Sequence, residues 1–252
     1  MDIRTDAEKI QRAANWRALR GLLRTGGIGS IVFGGIAIYL GLDALSEDGP
    51  DLNGILVAIG GFLVLEGIAV IALPRAPGLI AEGLALLLIG LWNLVVAVTN
   101  NASWMGVLGF YQILWAVQSF RRYPRFRRVG PDVQPETLAW FDATVAALKK
   151  ADLANDPTVV AFTGKQSIWR GEFNEPMYRA RLFPDGMFLY KLSGDDTVVA
   201  RHSNVVFTPG KPKKLGFAGR LSIGGRTMPV TLLGDGLQRL NTWRSSAAGA
   251  RR

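Results

Sequence analysis

The sequence predicts a membrane all-α four-helix bundle followed by a soluble β-rich domain with flanking helices. Three observations carry that prediction. Four apolar runs of about 20 residues lie between Gly26 and Phe120, acidic and basic flanks alternate around them, and after Gly130 the text changes to short β-branched runs separated by turn residues. Twenty helical residues at about 1.5 Å each span about 30 Å, the thickness of the hydrocarbon layer. A soluble bundle would need a polar stripe on each helix. Between Ile28 and Leu42, and between Ile55 and Leu73, the only charged residue is Glu66.

The chain of 252 residues has room for a small membrane domain and one soluble domain of ordinary size. It contains no cysteine, which excludes disulfides and thiolate metal sites. Its single histidine, His202, excludes a multi-histidine metal cluster. The formal charge of +9 matters through its location, because a basic flank resists translocation.

Residues 1–25 carry Arg4, Lys9, Arg12, Arg17, Arg20 and Arg24 and belong in the cytoplasm. Arg17, Arg20 and Arg24 fall on one helical stripe and Trp16, Leu19 and Leu23 on another. The segment therefore reads either as an interfacial helix on an anionic inner leaflet or as a frayed positive flank. The expected spans are 26–45, 54–73, 78–98 and 103–120. Asp43, Glu47, Asp48 and Asp51 put the first loop outside, and Arg75 between Pro74 and Pro77 marks a tight cytoplasmic hairpin. The third loop, TNNAS, is short and uncharged. A basic juxtamembrane linker over 121–133 follows the fourth span and holds Arg121, Arg122, Arg125, Arg127 and Arg128. Both termini are thus expected in the cytoplasm.

Glycines recur in register within the spans, Gly34-Gly35 and Gly41 matching Gly60-Gly61 and Gly67. Ser30 with Gly34, and Gly54 with Ala58, make faces of small residues, which let helix backbones approach closely in lipid. The glycine-punctuated text GGIAIYLG, IGGFLVLEG and IAEGLALLLIGLW resembles the short repeat of the HdeD-like bacterial membrane proteins. That resemblance implies a bacterial inner-membrane protein, a link to acid stress and no defined enzymatic reaction. The chain departs from the usual six spans of that group by stopping at four and adding a soluble domain.

Glu66 and Glu82 stand inside the apolar runs, where a charged side chain costs about 2.5 kcal/mol or more and normally faces a bundle interior or a cavity. The hairpin through Pro74 and Pro77 brings them to similar depth. They read either as a proton or cation relay with Asn93 or Gln112, or as structural groups bonded to neighbouring helices.

The soluble domain is expected over 134–252. A helix begins at Gln134 or Pro135, with Glu136 and Asp142 early and Lys149 and Lys150 in its last turn, and with Trp140, Phe141, Val145 and Leu148 as its apolar positions. TVVAFT, QSIWRGEF, MYRARLF, GMFLYKL, TVVARHSNVVF, LGFAGRLSI and TMPVTLL read as strands. Hairpin signals stand at Phe183-Pro-Asp-Gly186, Ser193-Gly-Asp-Asp196 and Ile223-Gly-Gly225. A closing helix carries Leu237, Leu240 and Trp243 on one face. Seven strands and a terminal helix resemble the layout of pleckstrin-homology-like domains; a split barrel or other small β domain is the alternative.

No phosphate loop, dinucleotide fingerprint, nucleophile elbow or metal-binding string is present, and His202 has no base or nucleophile beside it in sequence. No catalytic residue, cofactor or metal is expected. From Gly130 onward 17 Lys and Arg face 11 Asp and Glu, and Lys211, Lys213 and Lys214 share one loop near Pro209 and Pro212. These lysines and the juxtamembrane arginines are the expected contacts to an anionic leaflet or an acidic partner. Nucleic acid is disfavoured, since the charge is not interleaved with exposed aromatics. The expected function is a non-enzymatic scaffold or accessory subunit, a homo-oligomer or part of a larger membrane complex. Transport or proton handling through Glu66 and Glu82 is the alternative.

Overall fold

The computed structural model describes residues 2–44, 50–99, 103–165, 174–192, 196–214 and 216–249. The strand expected at QSIWRGEF lies outside these residues, as do most of the first and third loops and most of the Ser193-Gly-Asp-Asp196 turn. The chain divides into two compact units: residues 18–131, and residues 1–17 together with 132–252.

The first unit is helical. It contains residues 18–44 of helix α1 (Ile3–Ala44), then α2 (Pro50–Ala72), α3 (Gly78–Thr99) and α4 (Ser103–Phe126). Three of these helices, α1, α2 and α3, are long and apolar enough to cross a membrane. The fourth does not reach that apolarity, because Gln112, Gln118, Ser119, Arg121 and Arg122 fall within it. It also continues past the expected end of the run, through Pro124 to Phe126, so Arg121, Arg122 and Arg125 are helical instead of standing in a linker.

Glycine sets the helix packing. A Cβ on Gly34 would lie 2.6 Å from the Gly60 carbonyl oxygen, and Gly60 meets the Gly34 carbonyl at the same distance. Gly27 and Gly67 make the equivalent contact one heptad away, so α1 and α2 run antiparallel with their backbones touching. Gly90 and Gly109 do the same for α3 and α4. In Gly34-Gly35 and Gly60-Gly61 only the first glycine packs, since Gly35 and Gly61 face open space, as does Gly54.

The second unit is built on one antiparallel sheet in the order β4-β3-β2-β1-β7-β6-β5, with β1 (Val159–Gly164), β2 (Met177–Phe183), β3 (Gly186–Lys191), β4 (Thr197–Arg201), β5 (Val205–Lys213), β6 (Gly216–Ile223) and β7 (Arg226–Leu233). It is a meander whose first and last strands pair, leaving β4 and β5 as edges. Among the described residues the sheet has seven strands, divided differently from expectation. TVVARHSNVVF splits at a 3₁₀ turn, His202–Asn204, into β4 and β5. Gly224 and Gly225, at φ 55° and 79°, form the two-residue turn between β6 and β7, and Pro184-Asp185 the one between β2 and β3.

One face of the sheet holds the main core, including Phe162, Leu189, Phe207, Leu221 and Ile223, and it is closed by Leu240 and Trp243 of α6 (Gly236–Gly249). Trp243 Nε1 donates to the Phe183 carbonyl at 2.6 Å. Arg239 on the same helix donates to the carbonyls of Ala154, Asp156 and Val159 and pairs with Asp235, which ties α6 to the loop before β1.

The opposite face of β1–β4 is covered by α5 (Pro135–Lys150) and by residues 3–17 of α1. Ile3, Ala7, Ile10 and Ala14 bury with Phe141, Leu148, Val159, Phe188, Tyr190 and Val199. All of β3 from Gly186 to Tyr190 is therefore buried, on both faces. Arg179 of β2 donates to the carbonyls of Leu148, Lys149 and Ala151, satisfying the end of α5. Arg17 chelates Asp142. At edge strand β4, Gln11 Nε2 donates to the Thr197 carbonyl and Gln11 Oε1 accepts from the Val199 N–H, each at 2.9 Å. The Arg4 N–H is shared by Asp2 and Asp185 at 2.8 Å each. Burial, and then the neighbouring Asp2, push the Asp185 carboxyl above its ordinary value, whereas Asp2 is held low by the same pairing.

Candidate functional site

The helical unit encloses a cavity of about 300 Å³ bordered by all four helices. Its apolar wall includes Phe33 of α1, Leu63 of α2, Leu86 and Ile89 of α3 and Trp115 of α4. Its polar groups are Thr25, Ser30, Glu82, Gln112, Gln118, Ser119 and Arg122. Close packing creates it: Glu82 crosses to α1 at Gly26, where any Cβ would overlap its carboxyl, and Gly83 admits the Phe120 ring from α4. Glu82 and Arg122 are within electrostatic reach of one another, and so are Glu82 and Glu66. Glu66 is 6% exposed, and both its oxygens are buried. Ser30 is the hydrogen-bonding side chain beside its carboxyl.

Of the intramembrane polar residues singled out by sequence, the structure brings together Asn93 and Gln112, whose side chains bond at 2.7 Å between α3 and α4. Glu82 and Gln112 share the cavity wall, while Glu66 is not part of it. Arg122, expected at the membrane surface, is a wall residue too. Its companions divide: Arg121, Arg127 and Arg128 are exposed, and Arg125 lies over the Phe126 ring at 5.1 Å. Ser30, Thr25, Gln118 and Ser119 were not singled out as site residues. A signal existed, since Gln112, Ser119 and Arg122 recur at helical spacing on an otherwise apolar run, a stripe that marks an inward face.

In the sheet unit Lys211, Lys213 and Lys214 are exposed, but they do not form a loop. Lys211 and Lys213 belong to β5, which continues past a bulge between Pro209 and Pro212 and pairs with β6 down to Gly216. Proline is tolerated there because β5 is an edge strand with one side unpaired. His202 packs against Trp243 with ring centres 4.3 Å apart and planes tilted by 57°. Among the described residues no cluster of three or more His, Cys, Asp or Glu is placed to hold a metal.

No protein-family profile matches the chain, so the likeness of residues 26–120 to the HdeD-like proteins gains no support there. No curated protein matches it either. Among solved structures the chain is similar to autoinhibited Vav1 at 10% identity and a TM-score of 0.25, over 97% of this chain and 61% of that one. The chain thus spans under two thirds of that protein's length, and a likeness this slight defines no shared activity.

Proposed function

We propose that this is a four-span integral membrane protein with both termini in the cytoplasm, whose sheet domain serves as a non-enzymatic docking module of a scaffold or accessory subunit. The observation that carries the reading is the burial of Ile3, Ala7, Ile10 and Ala14 in one core with Phe141, Phe188 and Val199. Segments that share a core share one side of a bilayer, so the chain crosses an even number of times between Arg17 and Asp132. Three helices qualify by apolarity alone, and α4 as a fourth makes the number even. Its exposed Trp104, Val107, Phe110 and Val117 suit a lipid-facing surface. The basic flanks at residues 4–24 and 121–128 favour the cytoplasm for the shared side.

The pairing of β1 with β7 and the closure of one sheet face by α6 support a pleckstrin-homology-like reading of the domain. The exposed lysines of the β5 edge give the domain a basic ridge for an anionic leaflet or an acidic partner. Because the chain has no cysteine, single substitutions test the topology cleanly. Gly54→Cys at the start of α2 should react with an impermeant thiol reagent from outside intact cells, and Arg244→Cys on α6 only after permeabilisation. Equal labelling of both from outside refutes the four-span reading.

Transport through Glu66 and Glu82 is the second reading, favoured by the placement of Glu82 on a cavity wall. It requires an ion flux in reconstituted vesicles that Glu82→Gln abolishes while the protein remains folded.

A further inference from the structure

We propose that the cavity among the four helices of residues 18–131 binds the headgroup and upper chain of a zwitterionic aminophospholipid, with its ammonium at Glu82 and its phosphate at Arg122. This rests on the membrane reading above and adds a ligand to it.

Three features of the cavity converge on that chemistry. The first is charge. The wall presents one carboxyl, Glu82, and one guanidinium, Arg122, within electrostatic reach of each other. A ligand that carries an ammonium beside a phosphate matches both groups at once, the carboxyl accepting from the ammonium and the guanidinium donating to the phosphate. The second is shape. A volume of about 300 Å³ is at the lower end of ligand cavities, enough for a headgroup and the start of one chain but not for a whole lipid.

The third is the opening. Phe33 and Trp115 border the cavity and are 42% and 45% exposed, so the mouth between α1 and α4 lies on the apolar outer surface of the helical unit. In a bilayer that surface faces lipid, and a molecule entering there arrives from the membrane. Leu86 and Ile89 then line the path of the chain, while Ser30, Gln112 and Ser119, each under 10% exposed, supply hydrogen bonds along it. An ammonium with N–H donors is specified because a carboxylate accepts hydrogen bonds from it. The quaternary ammonium of a choline lipid has none to give.

The test uses the full chain in mild detergent, with native mass spectrometry and thermal unfolding as readouts. The probes are dioctanoyl-phosphatidylethanolamine, the matching phosphatidylcholine and phosphatidylglycerol, and soluble phosphoethanolamine. The ethanolamine lipid should bind about tenfold tighter than the choline lipid, since one charge-assisted hydrogen bond separates them, and tighter too than the glycerol lipid, which has no ammonium. Phosphoethanolamine without chains should bind far more weakly than the lipid. Glu82→Gln should erase the preference for ethanolamine over choline, Arg122→Gln should weaken all three lipids together, and Leu86→Trp, which fills the cavity, should abolish binding. Equal binding of the three lipids by the unaltered protein overturns the proposal and needs no variant to fold. A preference that survives Glu82→Gln also overturns it, and so does competition by phosphoethanolamine on a par with the lipid, which would assign the site to a soluble ligand. Failure of the four-span reading would appear in the cysteine labelling and not in these measurements.

Discussion

Gln11 is the residue whose replacement tests most directly how residues 3–17 are held. Its amide copies the edge of a neighbouring strand: the NH₂ donates to the Thr197 carbonyl and the oxygen accepts from the Val199 N–H, both at 2.9 Å and partly buried. These are the outward-facing groups of β4, an edge of the sheet. A neutral hydrogen bond contributes about 1 kcal/mol net, so loss of both should cost about 2 kcal/mol. For a protein of this size that lowers the melting temperature by about 4–8 °C. Gln11→Met keeps the length and removes both bonds, and should approach the full loss. Gln11→Glu keeps the acceptor for Val199 but sets a carboxylate oxygen against the Thr197 carbonyl, and should lose at least half. The assay is thermal unfolding of the full chain in detergent, followed by tryptophan fluorescence, with hydrogen exchange at Val199 as the local readout. If Gln11→Met melts within about 1 °C of the parent and the Val199 amide exchanges no faster, the edge-capping account is wrong.

Three other expectations follow from particular contacts. Gly34→Ala places a Cβ 2.6 Å from the Gly60 carbonyl, inside any ordinary contact, and should destabilise the helical unit by about 1–3 kcal/mol in a detergent unfolding assay. Gly35→Ala, one residue away with open space before it, should be close to neutral. Asp156 is held below its ordinary value of 3.8, first by the Thr158 hydroxyl and then by the Thr158 N–H, Arg181 and Arg239. A depressed folded-state value contributes stability that is full above 3.8 and disappears as pH falls through the lowered value, so the Asp156→Asn variant should show a shallower acid loss below about pH 4 in a stability titration. Finally, joint replacement of Lys211, Lys213 and Lys214 by Glu should remove the extra hydrogen-exchange protection of residues 205–214 expected when nanodisc lipid changes from zwitterionic to anionic. High salt should act the same way on the parent protein, and protection indifferent to both would take this edge off the contact surface.

Much of the architecture is legible in local sequence because local physics produces it. The α5 boundaries follow from Pro135 at the start and Lys149-Lys150 at the end, and α6 shows itself through Leu237, Leu240 and Trp243. Ile223-Gly-Gly-Arg226 makes its turn because only glycine is at ease with two successive positive φ values. The recurrence of glycines announces close helix packing, but sequence does not say which member of each tandem packs. Gly34 and Gly60 touch while Gly35 and Gly61 do not, because adjacent helical residues point about 100° apart. The Lys211–Lys214 stretch reads as a loop for its prolines and lysines, yet an edge strand accepts both on its unpaired side.

The sequence by itself determined the local layout: apolar helices first, a short-strand domain after them, basic flanks, and the absence of any recognisable catalytic string. These depend on residue type and on periods of 2 or 3.6, which are properties of neighbours along the chain. Tertiary structure alone decided the partners. It placed Ile3, Ile10 and Ala14 in one core with Phe188 and Val199, so that a segment read as a membrane-surface helix or a frayed flank joins residues from the far end of the sequence. It buried β3 on both faces, split one expected strand in two at His202, and gathered Glu82, Arg122, Ser30 and Ser119 around one cavity. Side chains distant in sequence meet only when whole elements pack, and the free energy that brings them together comes from surfaces whose complement no local window contains.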